Sequence, residues 1–214
     1  MNKPIKALAL SLGAAFAVTS ISAQDAAQIP GTMDVSRVAA GSYTLDSSHT
    51  LVSWQVSHFG FNDYFGLFGD IEGTMSIDPA DISATAFDVT IPIASVAVPS
   101  EGLRDHLLRP GKAGASPDFF GPEPEPARFV STSVRRTGDT TAVATGQLTM
   151  NGKTGPVTML VNFTGAGQNP MNKAHTVGFS ARATIDRTDW GIDYGAPMIG
   201  SEVDLEISAA FERQ

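Results

Sequence analysis

Cysteine is absent from the chain. That excludes disulfides, thiolate metal sites, a cysteine nucleophile and a lipid anchor attached to a leading cysteine. Basic residues are scarce: 14 Lys and Arg stand against 22 Asp and Glu, a formal charge of −8 over 214 residues. Nucleic acid would demand a basic face, and docking on an anionic membrane would demand basic clusters. The acidity reads as a device for solubility. Histidines number 4, at His49, His58, His106 and His175, and none has the short regular spacing of a zinc site. No Gly-x-Ser-x-Gly elbow is present. Phosphate-cradling glycine loops are missing too: Gly165-Ala166-Gly167 precedes a turn and not a helix.

Long apolar runs are confined to Ala7–Val18, which is too short to span a bilayer. Lys3 and Lys6 precede it, and Ser20, Ser22 and Ala23 follow. Residues 1–23 therefore read as a secretory signal cleaved before Gln24, with an uncleaved anchor as the alternative. Loss of two lysines and no acid takes the charge from −8 to −10. The expected product is soluble and periplasmic or secreted. Residues 24–41, small and polar with Pro30 and Gly31, read as a mobile lead-in. Residues 42–214 read as one domain.

What is present is period-two alternation. Val52, Trp54, Val56 and His58 alternate with polar neighbours. So do Phe87, Val89 and Ile91; Val157, Met159, Val161 and Phe163; Val177, Phe179, Ala181, Ala183 and Ile185; and Val203, Leu205, Ile207, Ala209 and Phe211. One dry and one wet face per strand is the pattern of an antiparallel sheet. Asn151-Gly152 is a hairpin turn signal. About eight such strands suggest a closed barrel or a sandwich, and a barrel of that size just encloses one small ligand.

Two segments break the pattern. Ser100–Arg109 places Leu103 and Leu107 four apart on a short helix, with Ser100 as N-cap and Pro110-Gly111 as stop. A long loop with Pro117, Pro122, Pro124 and Pro126 follows. Phe119 and Phe120 lie in it, either as a loop staple or as part of a cavity mouth. Phe59, Phe61, Phe65 and Phe68, interleaved with Gly60, Gly66 and Gly69, fit a bent strand whose rings fill or line a barrel end. His58 is either a hydrogen-bonded core residue or a ligand contact. Arg104-Asp105 is either a surface ion pair or a partner for a polar head group. Asp186 and Asp189 flank Arg187-Thr188, a turn with a local ion pair.

The residues also resemble a known family. Tyr43, Asp46 and His49 form a Tyr-x-x-Asp-x-x-His start. His58–Gly60, Gly66–Phe68, RDHLL at Arg104–Leu108, DFF at Asp118–Phe120, GKTGPVTM at Gly152–Met159 and DRTDWG at Asp186–Gly191 follow in order. Together they resemble the YceI-like family over about Tyr43–Glu212. RPGKAGASP before DFF is longer and richer in Gly and Pro than the family's link, and GPEPEP after DFF is also unusual for it. The resemblance implies an all-β fold: an extended eight-stranded antiparallel barrel, lipocalin-like, with a short helix and a Pro/Gly-rich loop near the cavity mouth. It implies a binding protein and no enzyme, with no cofactor beyond a bound polyisoprenoid or isoprenoid quinone. Association of some relatives with electron-transport proteins fits a quinone. Transient membrane contact and a homodimer are compatible with it.

Strand parity and the resemblance place a cavity wall on Trp54, Val56, Phe68, Phe87, Val89, Met159, Val161, Phe179, Leu205 and Ile207. The mouth and head-group candidates are His58, Leu103, Arg104, Leu107, Phe119 and Phe120. Strands of about 7–9 residues would give a channel on the order of 20–30 Å long. Three functions are compatible with this reading: a lipid carrier, an enzyme acting on a bound lipid with His58 as base, and a solid-core, stress-related interaction protein.

Overall fold

The structure, a computed structural model, describes residues 29–214. Residues 1–23, expected to be a secretory signal, lie outside the described residues. The strands are β1 (Gly41–Leu45), β2 (Leu51–His58), β3 (Asn62–Phe68), β4 (Glu72–Ile77), β5 (Ala86–Ile91), β6 (Ala127–Arg136), β7 (Thr141–Met150), β8 (Lys153–Gln168), β9 (His175–Asp186) and β10 (Ile199–Arg213). One α-helix, α1 (Glu101–Leu108), sits between β5 and β6. Among the described residues no helix is long and apolar enough to cross a membrane.

All pairings are antiparallel, and β1 bonds to both β4 and β10, which closes the sheet into a ring. The closed ring has eight strands. The ten segments fill it because β1 and β2 lie one after the other along β10, and β4 and β3 follow them as their partners: Leu45 pairs with Phe211 and Leu51 with Ser208, while Tyr43 pairs with Met75 and Val52 with Phe68. The break between β1 and β2 is stitched to Ala210, which donates its N–H to Thr50 Oγ1 at 3.3 Å and accepts from Asp46 N–H at 2.8 Å. The Tyr-x-x-Asp-x-x-His segment builds this break. Asp46 accepts from Ser48 N–H and contacts His49 Nδ1 at 2.7 Å, while buried Tyr43 donates to Ala39 O. That motif is therefore a chain-bending device.

Closure follows from the alternation. Each strand turns one apolar face inward, and register keeps those faces together: Trp54 opposes Leu205, Leu205 opposes Ala183, and Val161 opposes Ala181. A sandwich would leave open edges, whereas the ring closes through β1, and β3, last in the strand order, is met at its outer edge by the Leu67–Ala97 bridge. Two core clusters mark its ends. One gathers Tyr43, Leu45, Met75, Phe163, Val177 and Phe211, and the other gathers Ile93, Phe129, Leu148, Ile185, Trp190 and Ile192.

Some expectations change. The strands are longer than the sequence suggests: β8 has 16 residues and β10 has 15. At about 3.3 Å per residue and a tilt near 40°, such strands give a barrel on the order of 40 Å long. The segment expected to be a mobile lead-in is tied down where it is described. Thr32 exchanges both backbone hydrogen bonds with Ala166 of β8, and Val38 packs on the first core cluster. Its small polar composition hid two apolar side chains, Val35 and Val38, that cover one barrel end.

Gly66 shows how tightly the wall is set. An added Cβ there would stand 2.2 Å from the Trp54 indole. Gly66→Ala is expected to displace that ring and destabilise the fold by about 1–3 kcal/mol, read by thermal unfolding. Unchanged stability would show that the indole has room to move.

Candidate functional site

The barrel interior is an elongated cavity of about 730 Å³, within the range of small-molecule sites. Its wall is almost wholly hydrocarbon and aromatic ring. Trp54 and Val56 come from β2, Phe87 and Val89 from β5, Met159 and Val161 from β8, Phe179 from β9, and Leu205 and Ile207 from β10. Phe87 stacks on Phe129 at 5.5 Å, and Phe179 meets Phe163 and Phe211 edge-on at 6.0 and 6.3 Å. Such a wall can hold an apolar chain by burial alone and offers little to orient a polar one.

Polar groups line both ends: Arg136, Asp139, Thr140 and Thr141 at the β6–β7 turn, and His58, Ser100, His106 and Tyr194 under α1. Ser100 caps that helix by accepting Leu103 N–H, and Leu103 and His106, one turn apart, face the cavity. The following loop folds back beneath the helix: Phe120 and Gly121 donate their N–H groups to Leu107 O. Asp118 pins the return, 2.7 Å from His106 Nε2 and 2.9 Å from an Arg109 guanidinium nitrogen. His106, Phe119 and Tyr194 form a ring cluster with centroids 4.9–5.3 Å apart. Phe119 and Phe120 thus staple the loop and line the cavity at once.

Asp118 gives this cover a pH dependence. The Arg109 hydrogen bond first, and the His106 bond second, hold its carboxyl below the usual range, against an opposing effect of burial. A carboxyl with a depressed folded pKa adds stability above its unfolded value, near 3.9, and that stability is lost as pH falls through the lowered folded value. Pepsin should therefore cut Asp118→Asn at Phe119-Phe120 severalfold faster than the parent at about pH 5, with the ratio shrinking as the pH falls below about 4. A ratio independent of pH would mean that Asp118 does not hold the loop.

The same end is shaped by Arg187, only 6% exposed. Its guanidinium and Nε donate to four backbone carbonyls: Gly200 at 2.8 Å, Ile192 at 2.6 Å, Ile199 at 2.9 Å and Tyr194 at 3.1 Å. Burial pushes its pKa down, opposed by the Asp186 and Asp193 charges. The expected local ion pair is replaced by this carbonyl cluster, because Asp186 spends its side chain capping the turn at Thr188. Trp190, buried in the core cluster at this end, donates Nε1–H to Leu148 O at 3.1 Å.

Fourteen of the sixteen residues expected at the site line the cavity: the ten wall residues together with His58, Leu103, Phe119 and Phe120. Arg104 and Leu107 do not. Leu103 and His106 set the inward face of α1, so Arg104 turns to solvent and Leu107 is buried outside the cavity lining. Sequence reasoning missed His106, although its i+3 spacing from Leu103 marked it. It also missed Tyr194, which lies in an aperiodic turn with no such signal.

The YceI-like domain family matches residues 43–211 of the chain. A UPF0312 protein of Pseudomonas putida is 36% identical over 185 residues, covering 85% of this chain and 92% of the relative. Among solved structures, Burkholderia cenocepacia BcnA superposes with a TM-score of 0.64 at 22% identity, covering 78% of this chain and 98% of that one. A polyisoprenoid binding domain from Saccharophagus degradans, implicated in plant cell wall breakdown, gives 0.54 at 13% identity, covering 80% and 98%. At these identities the two structures speak for the fold alone.

Proposed function

The chain belongs to the YceI-like family, and from that premise we propose that it binds a long-chain apolar lipid inside its barrel and carries it through water. The observation that carries this reading is the continuous apolar interior of about 730 Å³. A carrier requires such a space, whereas a solid-core interaction protein does not. The proposed ligand class is a polyisoprenoid or isoprenoid quinone, in keeping with the polyisoprenoid binding of the Saccharophagus degradans domain. A chain of isoprene units offers only hydrocarbon along its length and suits the wall. His58, His106 and Tyr194 lie where a polar head could rest at the α1 end. The role is binding and transfer without covalent chemistry. The signal-like residues 1–23 support an exported carrier working between membranes.

The direct test is titration of delipidated protein with an isoprenoid quinone and with the same head group lacking its tail. The tailed quinone is expected to bind one per chain, and the tail-less head group about a hundredfold more weakly or not at all, because apolar burial supplies the affinity. Equal binding of the two would remove the carrier reading.

A further inference from the structure

We infer that the aromatic rim at the α1 end is a docking surface for a neutral lipid bilayer, through which the cavity exchanges its ligand. The inference rests on the lipid-carrier reading and names the partner that carrier meets.

The rim is built at the tip of the β2–β3 hairpin. Phe59 and Gly60 take left-handed backbone, with φ of 56° and 70°, and Phe61 N–H closes the turn on His58 O at 3.2 Å. A left-handed position is uncommon for a bulky side chain, yet here it holds a ring at the surface. Phe61 is 89% exposed and Phe59 48%. Phe59 N–H donates to Met198 O at 2.8 Å, which fastens the tip to the Arg187-held turn. That turn adds Met198, 64% exposed, and Tyr194, half-exposed.

Two observations select the occupant. Phe59 and Tyr194 belong to the exposed rim and also line the cavity, so the patch is continuous with the ligand space. A bilayer is the only apolar phase that would join the two without passing the ligand through water. A second copy of the chain is a poorer fit, since a stable interface takes roughly 20–30 residues a side and the patch offers four at a protruding tip. Protruding aromatic and thioether side chains instead suit the boundary between head groups and acyl chains. The four patch residues carry no charge, and Asp63 and Asp193 flank them in sequence. The matching surface is therefore zwitterionic and not anionic.

The test is flotation of the protein as purified from cells with phosphatidylcholine vesicles, comparing it with Phe61→Ser, Met198→Ser and two exposed controls. Leu160→Ser lies on the outer wall, and Met171→Ser lies in the turn between β8 and β9 at the opposite end. Phe61→Ser is expected to lower the partition coefficient about tenfold. Met198→Ser lowers it less, neither control changes it, and added phosphatidylglycerol does not strengthen it. Equal flotation of all variants, or stronger binding with each increment of anionic lipid, overturns the inference. Dissociation of a dimer by Phe61→Ser with flotation unchanged also overturns it and assigns the patch to a second copy. Quinone uptake from detergent solution is read separately. Uptake without flotation removes the docking surface and leaves the carrier, whereas flotation without uptake removes the carrier.

Discussion

Replacing Ala183 by tryptophan evicts the ligand and leaves the barrel standing. Ala183 lies on the inward face of β9, opposite Leu205 of β10, and lines the cavity. Its small side chain leaves room in mid-barrel where Met159, Val161 and Leu205 approach from neighbouring strands. An indole there enters existing space and packs on apolar side chains. Filling a cavity in this way commonly adds about 0.5–2 kcal/mol to stability. The same ring blocks an elongated ligand, which must thread past it. Bound lipid per chain should fall at least about tenfold, the loss of little more than one CH₂-rich segment's burial, while delipidated protein melts at an equal or higher temperature. Full ligand occupancy with raised stability would place the lipid elsewhere than the sleeve. Lowered stability would show that the wall lacks the room assigned to it.

Arg187→Met should be the most damaging single change in the fold. It removes the donors to the carbonyls of Ile192, Tyr194, Ile199 and Gly200, of which the Ile192 bond is buried and the others part-buried. Removing one side of a buried charged network typically costs about 3–5 kcal/mol. For a chain of this size that lowers the melting temperature by roughly 6–20 °C. Lysine offers a point charge and three donors in place of a planar fork, so Arg187→Lys should recover less than half of the loss. The damage should concentrate between Arg187 and Ile199, visible as faster amide exchange there. A melting temperature within a degree or two of the parent would mean that water or the chain re-satisfies the carbonyls.

The wall of the cavity was legible because a strand has only two faces. Once Trp54 and Val56, or Phe179 and Ala181, were seen to alternate with polar residues, their inward placement followed from the pleat. The ring of strands followed from the same signal, together with the turn at Asn151-Gly152. The two ends were less legible, because their architecture depends on long-range polar contacts that have no period. Arg187 looked like part of a charged turn, and nothing in its neighbours announced four carbonyl partners. Tyr194 reaches the mouth only because that cluster fixes its loop. On α1 the helical period holds but its phase differs by one position: the sequence pairs Leu103 with Leu107, while Leu103 and His106 face the cavity. The early segment near Thr32 is hidden by composition, since a backbone bridge to Ala166 and the packing of Val38 hold it without a periodic signal.

A lipid carrier must hold an apolar chain inside its barrel. Organic extraction and mass spectrometry of the protein, purified from its native cells without detergent, tests it most directly. One polyprenyl or isoprenoid-quinone species per chain is expected, reduced at least about tenfold in Ala183→Trp purified alongside. An extract with no such species, from protein that also takes up none when it is supplied, would contradict the carrier reading.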